Sequence, residues 1–485
     1  PYGIGTMGKS AYEFVDLLKK AGQSYWQILP LGQTGYGDSP YQSFSTFAGN
    51  PYFIDLDMLR AEGLLTLTEC EEVEVCDNPA YIDYEKMYNS RYRVLRKAFA
   101  RFDEKSAKKY DRFEKNNAVW LDDYALYMAC KAHFDQKPWT EWDEDIRLRK
   151  KKALKSYREE LAEEIRFWKF LQYYFLRQWK KLKKYANKNG IEIIGDIPIY
   201  VAFDSADTWA NPELFQLDAK GYPVAVAGCP PDVFSATGQL WGNPLYDWTY
   251  HKHTDFAWWM ERIAHCYRLY DVVRIDHFRG FEAYYAIPYG DPTAEYGHWE
   301  KGPDYALFAR MKEVLGERKV IAEDLGFLTK EVHELVRKTG YPGMKIIEFA
   351  FSDYQDNDYL PHNYVKNCIV YTGTHDNETL EGYIHNLSKR DMQFIKEYCD
   401  CNSEKKLSKA LIRIALMSAA DTAIIPIQDY LGLGNEARIN EPSTLGDNWK
   451  WRLVDGQFTE ETAKEMTALA KISFRAPKKV KKKEK

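Results

Sequence analysis

Seven short apolar runs of strand length recur along the chain, and most close on polar residues. They are Tyr25–Leu31 (YWQILPL), Ile191–Ile199 (IEIIGDIPI), Val272–Asp276 (VVRID), Val320–Asp324 (VIAED), Met344–Phe349 (MKIIEF), Cys368–Thr374 (CIVYTGT) and Thr422–Gln428 (TAIIPIQ). Runs apolar on both faces and separated by helical periodicity predict a parallel sheet covered by helices. One link shows the pattern well: Ile165, Trp168, Phe175, Trp179, Leu182 and Ala186 follow helical spacing, Asn189-Gly190 ends the helix, and a strand starts at Ile191. Seven strands in this alternation, with an eighth expected ahead of Pro1, predict an α/β fold, a (β/α)8 TIM barrel with helical and loop-rich insertions. The barrel is expected over residues 1–65 and 190–475, and the charged, helically patterned 66–189 reads as a helical insertion subdomain. Residues 200–250, around GCPPDVFSATGQLWGNP, read as loops of the kind that form lids and binding surfaces, and 476–485 as a frayed basic tail.

Composition narrows the function. Across 485 residues, 67 basic and 72 acidic side chains leave a net charge of −5, so no basic face for nucleic acid is expected. The apolar runs are too short to span a membrane. The eight cysteines form no CxxC pair and no His cluster accompanies them, so neither a metal site nor a disulfide framework is expected. No phosphate-binding glycine loop occurs, which removes nucleotide chemistry. Aromatic residues make up 15% of the chain. Trp168, Trp179, Trp258 and Trp259 read as packing, while others are candidates for stacking on sugar rings.

Barrel enzymes place their chemistry at the C-terminal ends of the strands. Three strand ends carry carboxylates there: Asp276 after VVRI, Glu323 after VIA, and Asp376 just beyond IVYTGTH. Any one of them alone could be a helix cap or an ion-pair partner; three from three different strands converge on one mouth. Strand alternation puts Arg274 and Asp276 on the same inward face, where the guanidinium favours an ionised carboxylate suited to nucleophilic attack. Glu323 shares its face with Ile321, an apolar setting that raises the pKa as a general acid requires, whereas Asp324 should point the other way.

Six motifs in order then carry a resemblance: GDSPYQSFSTFAGNPYFI (37–54), GDIPIYVAFDSADTWANPELF (195–215), PPDVFSATGQLWGNPLYDW (230–248), VRIDHFRGF (273–281), IAEDLG (321–326) and YTGTHDNET (371–379). The chain resembles the amylomaltases, 4-α-glucanotransferases of glycoside hydrolase family 77 in the α-amylase clan, from Pro1 to about residue 452. The resemblance implies Asp276 as nucleophile, Glu323 as general acid/base and Asp376 as the carboxylate that distorts the sugar and stabilises the transition state. Arg274 and His375 are implied as supports, with Tyr41, Asp196, Asp232 and Trp241 around the donor sugars. Cys229 stands where a β-branched residue is expected. The implied substrates are maltooligosaccharides and starch- or glycogen-derived α-1,4-glucans, the implied cofactor and metal are none, and the implied location is cytoplasmic. A hydrolase of the α-amylase type and a silent glucan-binding protein on the same fold are the alternatives. Presence of all three carboxylates disfavours the silent one.

Overall fold

The computed structural model describes residues 1–35, 37–104, 108–231, 235–326, 328–352, 355–444 and 446–477. Its strands are β1 (Tyr25–Gln27), β2 (Glu192–Ile197), β3 (Ala225–Cys229), β4 (Gln239–Pro244), β5 (Val272–Ile275), β6 (Ala283–Pro288), β7 (His298–Lys301), β8 (Val320–Ala322), β9 (Gly343–Ile346), β10 (Cys368–Tyr371) and β11 (Thr422–Ile424). Each of the seven apolar runs carries a strand shorter than the run, β9 starting one residue ahead of its run at Gly343.

Strands β1, β2, β5 and β8 pair in parallel in that order, and β9, β10 and β11 likewise. A hydrogen bond from Ala322 N to Pro342 O (3.0 Å) joins the two sheets, so seven parallel strands follow one another around a barrel of the (β/α)8 type. Alternation sorts their side chains as the pleat requires. Ile194, Val272, Ile321, Met344, Ile346, Ile369 and Tyr371 fill the lumen as one cluster. Ile193, Val273, Ile275, Val320 and Ala322 face outward onto the helices. Between β11 and β1 the wall opens into a cleft of about 740 Å³ that reaches inward to Arg274, Tyr371 and His375. Accordingly β1 and β11 are only half-buried, whereas β5, β8 and β10 are buried throughout.

The helix Ala162–Lys188 buries Trp168, Phe175, Trp179, Leu182 and Ala186 against the barrel. Its end shows how local chemistry fixes the entry to β2. Gly190 sits at φ +79°; Gly190 N donates to Asn187 O (3.0 Å) and Ile191 N to Ala186 O (2.9 Å), the double hydrogen bond of a Schellman cap. Gly190→Ala is therefore expected to lower stability by about 1 kcal/mol, the cost of a Cβ in the left-handed region, with transfer activity unchanged; denaturant midpoints measure it. Gly195, within β2, answers a different need: a Cβ there would lie 2.2 Å from the Tyr270 ring.

Between β1 and β2 the chain forms helices at Tyr84–Ala100, Lys108–His133 and Lys151–Glu160. Their apolar faces join the barrel's outer core without a break, Val94 and Leu121 belonging to the same cluster as Ile193 and Val273. The segment just before them pairs with residues 449–452: Ile82 N donates to Lys450 O (2.8 Å) and Tyr84 Oη to Trp449 O (2.7 Å). Residues 200–250, expected to be loop-rich, carry short strands among their loops. They contain β3 and β4, which join β6 and β7 in an antiparallel sheet of order β4-β3-β6-β7. AVAGC in β3 has no alternation to announce it, and its partner β6 lies more than fifty residues further on. No helix among the described residues is long and apolar enough to cross a membrane.

Candidate active site

The sealed floor of the mouth is built first. Asp196, one residue before the end of β2, lies opposite Arg274 of β5. The Arg274 Nη1 donates to both Asp196 oxygens (2.8 and 2.7 Å) and to Asp276 Oδ1 at 3.2 Å. The side chains of Asp196 and Arg274 are 1% and 4% exposed, that of Asp276 32%. Inward alternation thus produces a vertical stack, with the ion pair beneath and the Asp276 carboxylate open to the mouth. Tyr41, from the 37–54 loop, donates its hydroxyl proton to Asp196 Oδ2 (2.8 Å) and stacks on His375 with ring centroids 5.0 Å apart. Trp449 joins these rings at 5.8 Å from Tyr41 and 5.6 Å from His375.

Glu323 stands beside Asp276 because the β5–β8 ladder continues past the strand ends. Glu323 N donates to Ile275 O (3.1 Å) and Phe278 N donates to Glu323 O (3.1 Å). Its carboxyl accepts from His277 N (2.7 Å) and Leu325 N (2.8 Å). The first of these requires His277 at φ +52°, a left-handed turn right after Asp276 that aims its N–H back at Glu323. Asp324 points away as alternation predicts, accepting from Met344 N on β9 (2.7 Å). Burial pushes the Glu323 carboxyl upward, against Arg274 and the two backbone donors. Burial likewise pushes Asp276 upward, with Arg274 opposing and Glu323 and Asp196 adding to the rise. The two carboxyls therefore titrate as a pair.

Asp376 lies on the loop after β10, its side chain 46% exposed, with Oδ1 3.3 Å from His375 Nε2. Burial holds His375 below its usual value. Trp241, on β4, reaches the mouth's other side, 4.8 Å and perpendicular to the His277 ring. Asp232 lies outside the described residues.

The site also contains residues that sequence reasoning had not singled out. His277 faces Trp241, and burial lowers its pKa to about 3, so the ring is neutral at neutral pH. Glu348, just beyond β9, has the same inward parity as Met344 and Ile346, a signal that strand-end alternation could have used. It is buried (8% exposed) against Gly373, whose Cβ position lies 2.7 Å from Glu348 Oε1. Burial, then Asp429, pushes its carboxyl well above the usual carboxylate range. Asn440 donates to Asp376 Oδ1 (2.7 Å) from a loop 64 residues further along the chain.

Comparison with known proteins places this arrangement. Residues 1–457 match the 4-alpha-glucanotransferase family. A 4-alpha-glucanotransferase of Clostridium butyricum is 54% identical over 97% of both chains. One from Thermus thermophilus is 45% identical over 98% of this chain and 96% of its own. The solved amylomaltase of Streptococcus agalactiae, in complex with acarbose, superposes with a TM-score of 0.95 at 40% identity, covering 98% of this chain and 99% of that one. The amylomaltase of Corynebacterium glutamicum, 17% identical with a TM-score of 0.74, shares the fold. The protein is a glycosyl-transferring barrel enzyme. It belongs to the 4-alpha-glucanotransferase family and transfers segments of α-1,4-glucans.

Proposed function

We propose that transfer runs through a covalent glycosyl-enzyme on Asp276. The carrying observation is the placement of Asp276 and Glu323 side by side on adjacent strand ends, with Arg274 against Asp276. Arg274 draws the negative charge of the pair to Asp276 and leaves its proton on Glu323. Asp276 attacks the anomeric carbon while Glu323 protonates the departing glycosidic oxygen. The shortened glucan leaves, and the Glu323 carboxylate then takes the proton of an acceptor 4-hydroxyl, which attacks the same carbon and frees Asp276. Two inversions retain the α configuration. Asp376 stabilises the positive charge that develops on the sugar.

Tyr41, His375 and Trp241 face the mouth as sugar-contacting groups, and the family resemblance gives Asp232 the same role. Asp196 and Arg274 are sealed and act by holding Tyr41 and Asp276. The 235–245 part of the lid is tied down by Ala294 N donating to Thr237 O (3.0 Å), and an acceptor sugar held at the mouth displaces water from it. We assign the protein to the cytoplasm; Cys70, Cys130, Cys266 and Cys368 are buried free thiols, which suits a reducing compartment.

Glu323→Gln tests the two-step scheme. With maltotriose it should be nearly inactive, since no proton reaches the leaving sugar. With α-maltotriosyl fluoride, whose leaving group needs no acid, the first step should recover and deacylation-like transfer should lag. A maltotriosyl adduct on the peptide containing Asp276 should then accumulate, seen by mass spectrometry. An adduct on another residue, or equal loss with both donors, overturns the assignment.

A further inference from the structure

Within its own loop Asp376 N donates to Thr374 Oγ1 (3.3 Å), and further contacts come from residues 438–440. Asn440 Nδ2 donates to Asp376 Oδ1 (2.7 Å), and Asn440 N to His375 O (3.0 Å). Arg438 Nη2 donates to Asp376 O (2.8 Å) and its Nε to Asn440 O (2.9 Å). Trp449 N donates to Ile439 O (2.7 Å), and Trp449 lies beside the His375 ring. Side chain and main chain of the His375-Asp376 pair thus both receive hydrogen bonds from residues 438–440.

Two nitrogens lie against the same Asp376 oxygen, Asn440 Nδ2 at 2.7 Å and His375 Nε2 at 3.3 Å. The Asn440 amide makes the shorter contact, and it is a donor at every pH. We propose that Asn440 is a positioning residue for Asp376, fixing one carboxylate oxygen so that the other is presented to the sugar.

The inference rests on Asp376 acting in the transition state, so Asp376→Asn is measured in parallel. Asn440→Ala should lower kcat on maltotriose by about 10- to 100-fold with KM changed by less than about threefold, as losses of ligand-orienting partners do. Asn440→Asp places a second carboxyl against Asp376, in a setting that already contains Asp196, Asp276, Glu323, His375, Arg274 and Arg438. It should move the acid limb of the kcat/KM profile upward by about one pH unit or more, a shift that a purely structural role would not give. Asn440→Ala within twofold of the parent, while Asp376→Asn is inactive, overturns the positioning role alone. Full activity in Asp376→Asn overturns the reading of Asp376 and this inference with it. Should Asn440→Ala fail to fold, an unshifted profile in the nearly isosteric Asn440→Asp overturns the proposal.

Discussion

Asp276→Asn should abolish glucan transfer, with a loss on the order of 10⁴-fold or more in kcat, while the chain stays folded. The amide keeps the volume of the carboxyl and its oxygen still accepts from Arg274, so the floor of the mouth is preserved. What disappears is the proposed nucleophile: an amide oxygen does not form the glycosyl bond, and the charge that would face the forming cation is gone. Arg274 keeps its two hydrogen bonds to Asp196 (2.8 and 2.7 Å), so the buried guanidinium remains paired. The stability change should stay below about 1 kcal/mol, because Asp276 lies at the open end of the stack. Activity is read from maltotriose, where the parent yields glucose and a ladder of longer maltooligosaccharides at constant reducing ends. A variant that still makes this ladder within tenfold of the parent rate removes Asp276 from the role. A variant that unfolds tells of Arg274 instead, and circular dichroism separates the two.

The legibility of this protein follows from which interactions are local. The barrel strands could be read because each is apolar on both faces and is bounded by its own turn signals, so VVRID and CIVYTGT announce themselves without knowledge of a partner. Asp276 and Glu323 could be read because alternation along one strand decides which residues point inward. The same argument, carried to MKIIEF, would have marked Glu348, and only tertiary burial against Gly373 separates it from the three carboxylates of the mouth. Strands β3 and β4 were illegible for a physical reason. AVAGC and QLWGNP are short and glycine-containing, and the ladder from β3 to β6, Ala225 opposite Pro288, is a pairing that no local pattern encodes. Asn440 was hidden for the same cause: an asparagine in RINEPS is a turn residue by propensity, and its partner Asp376 is chosen by the path of the whole loop. The roles of Tyr41 and Trp241 came from resemblance to a family, and the geometry adds what each ring touches.

Removing the guanidinium from the floor should have the largest effect on stability. Arg274→Met leaves Asp196, whose side chain is 1% exposed, without its bidentate partner, and breaking a buried pair from one side costs about 3–5 kcal/mol. Tyr41 still donates to Asp196, but one hydrogen bond does not replace a charge. The deficit should depend on pH with a definite sign. In the variant the orphaned Asp196 binds its proton more tightly folded than unfolded, so its folded pKa exceeds the unfolded value of about 3.9. The ionised form is then the one penalised: the deficit is small near pH 4, grows as pH rises through the raised folded pKa, and is complete above it. Adding Asp196→Asn to Arg274→Met removes the orphaned charge and should restore most of the stability at neutral pH, a positive coupling that a double-mutant cycle in urea would measure. Activity should stay lost in the double variant, because Arg274 also sets the charge on Asp276. A double variant no more stable than Arg274→Met would mean that the long side chain's packing against Met344, not its charge, maintains the floor.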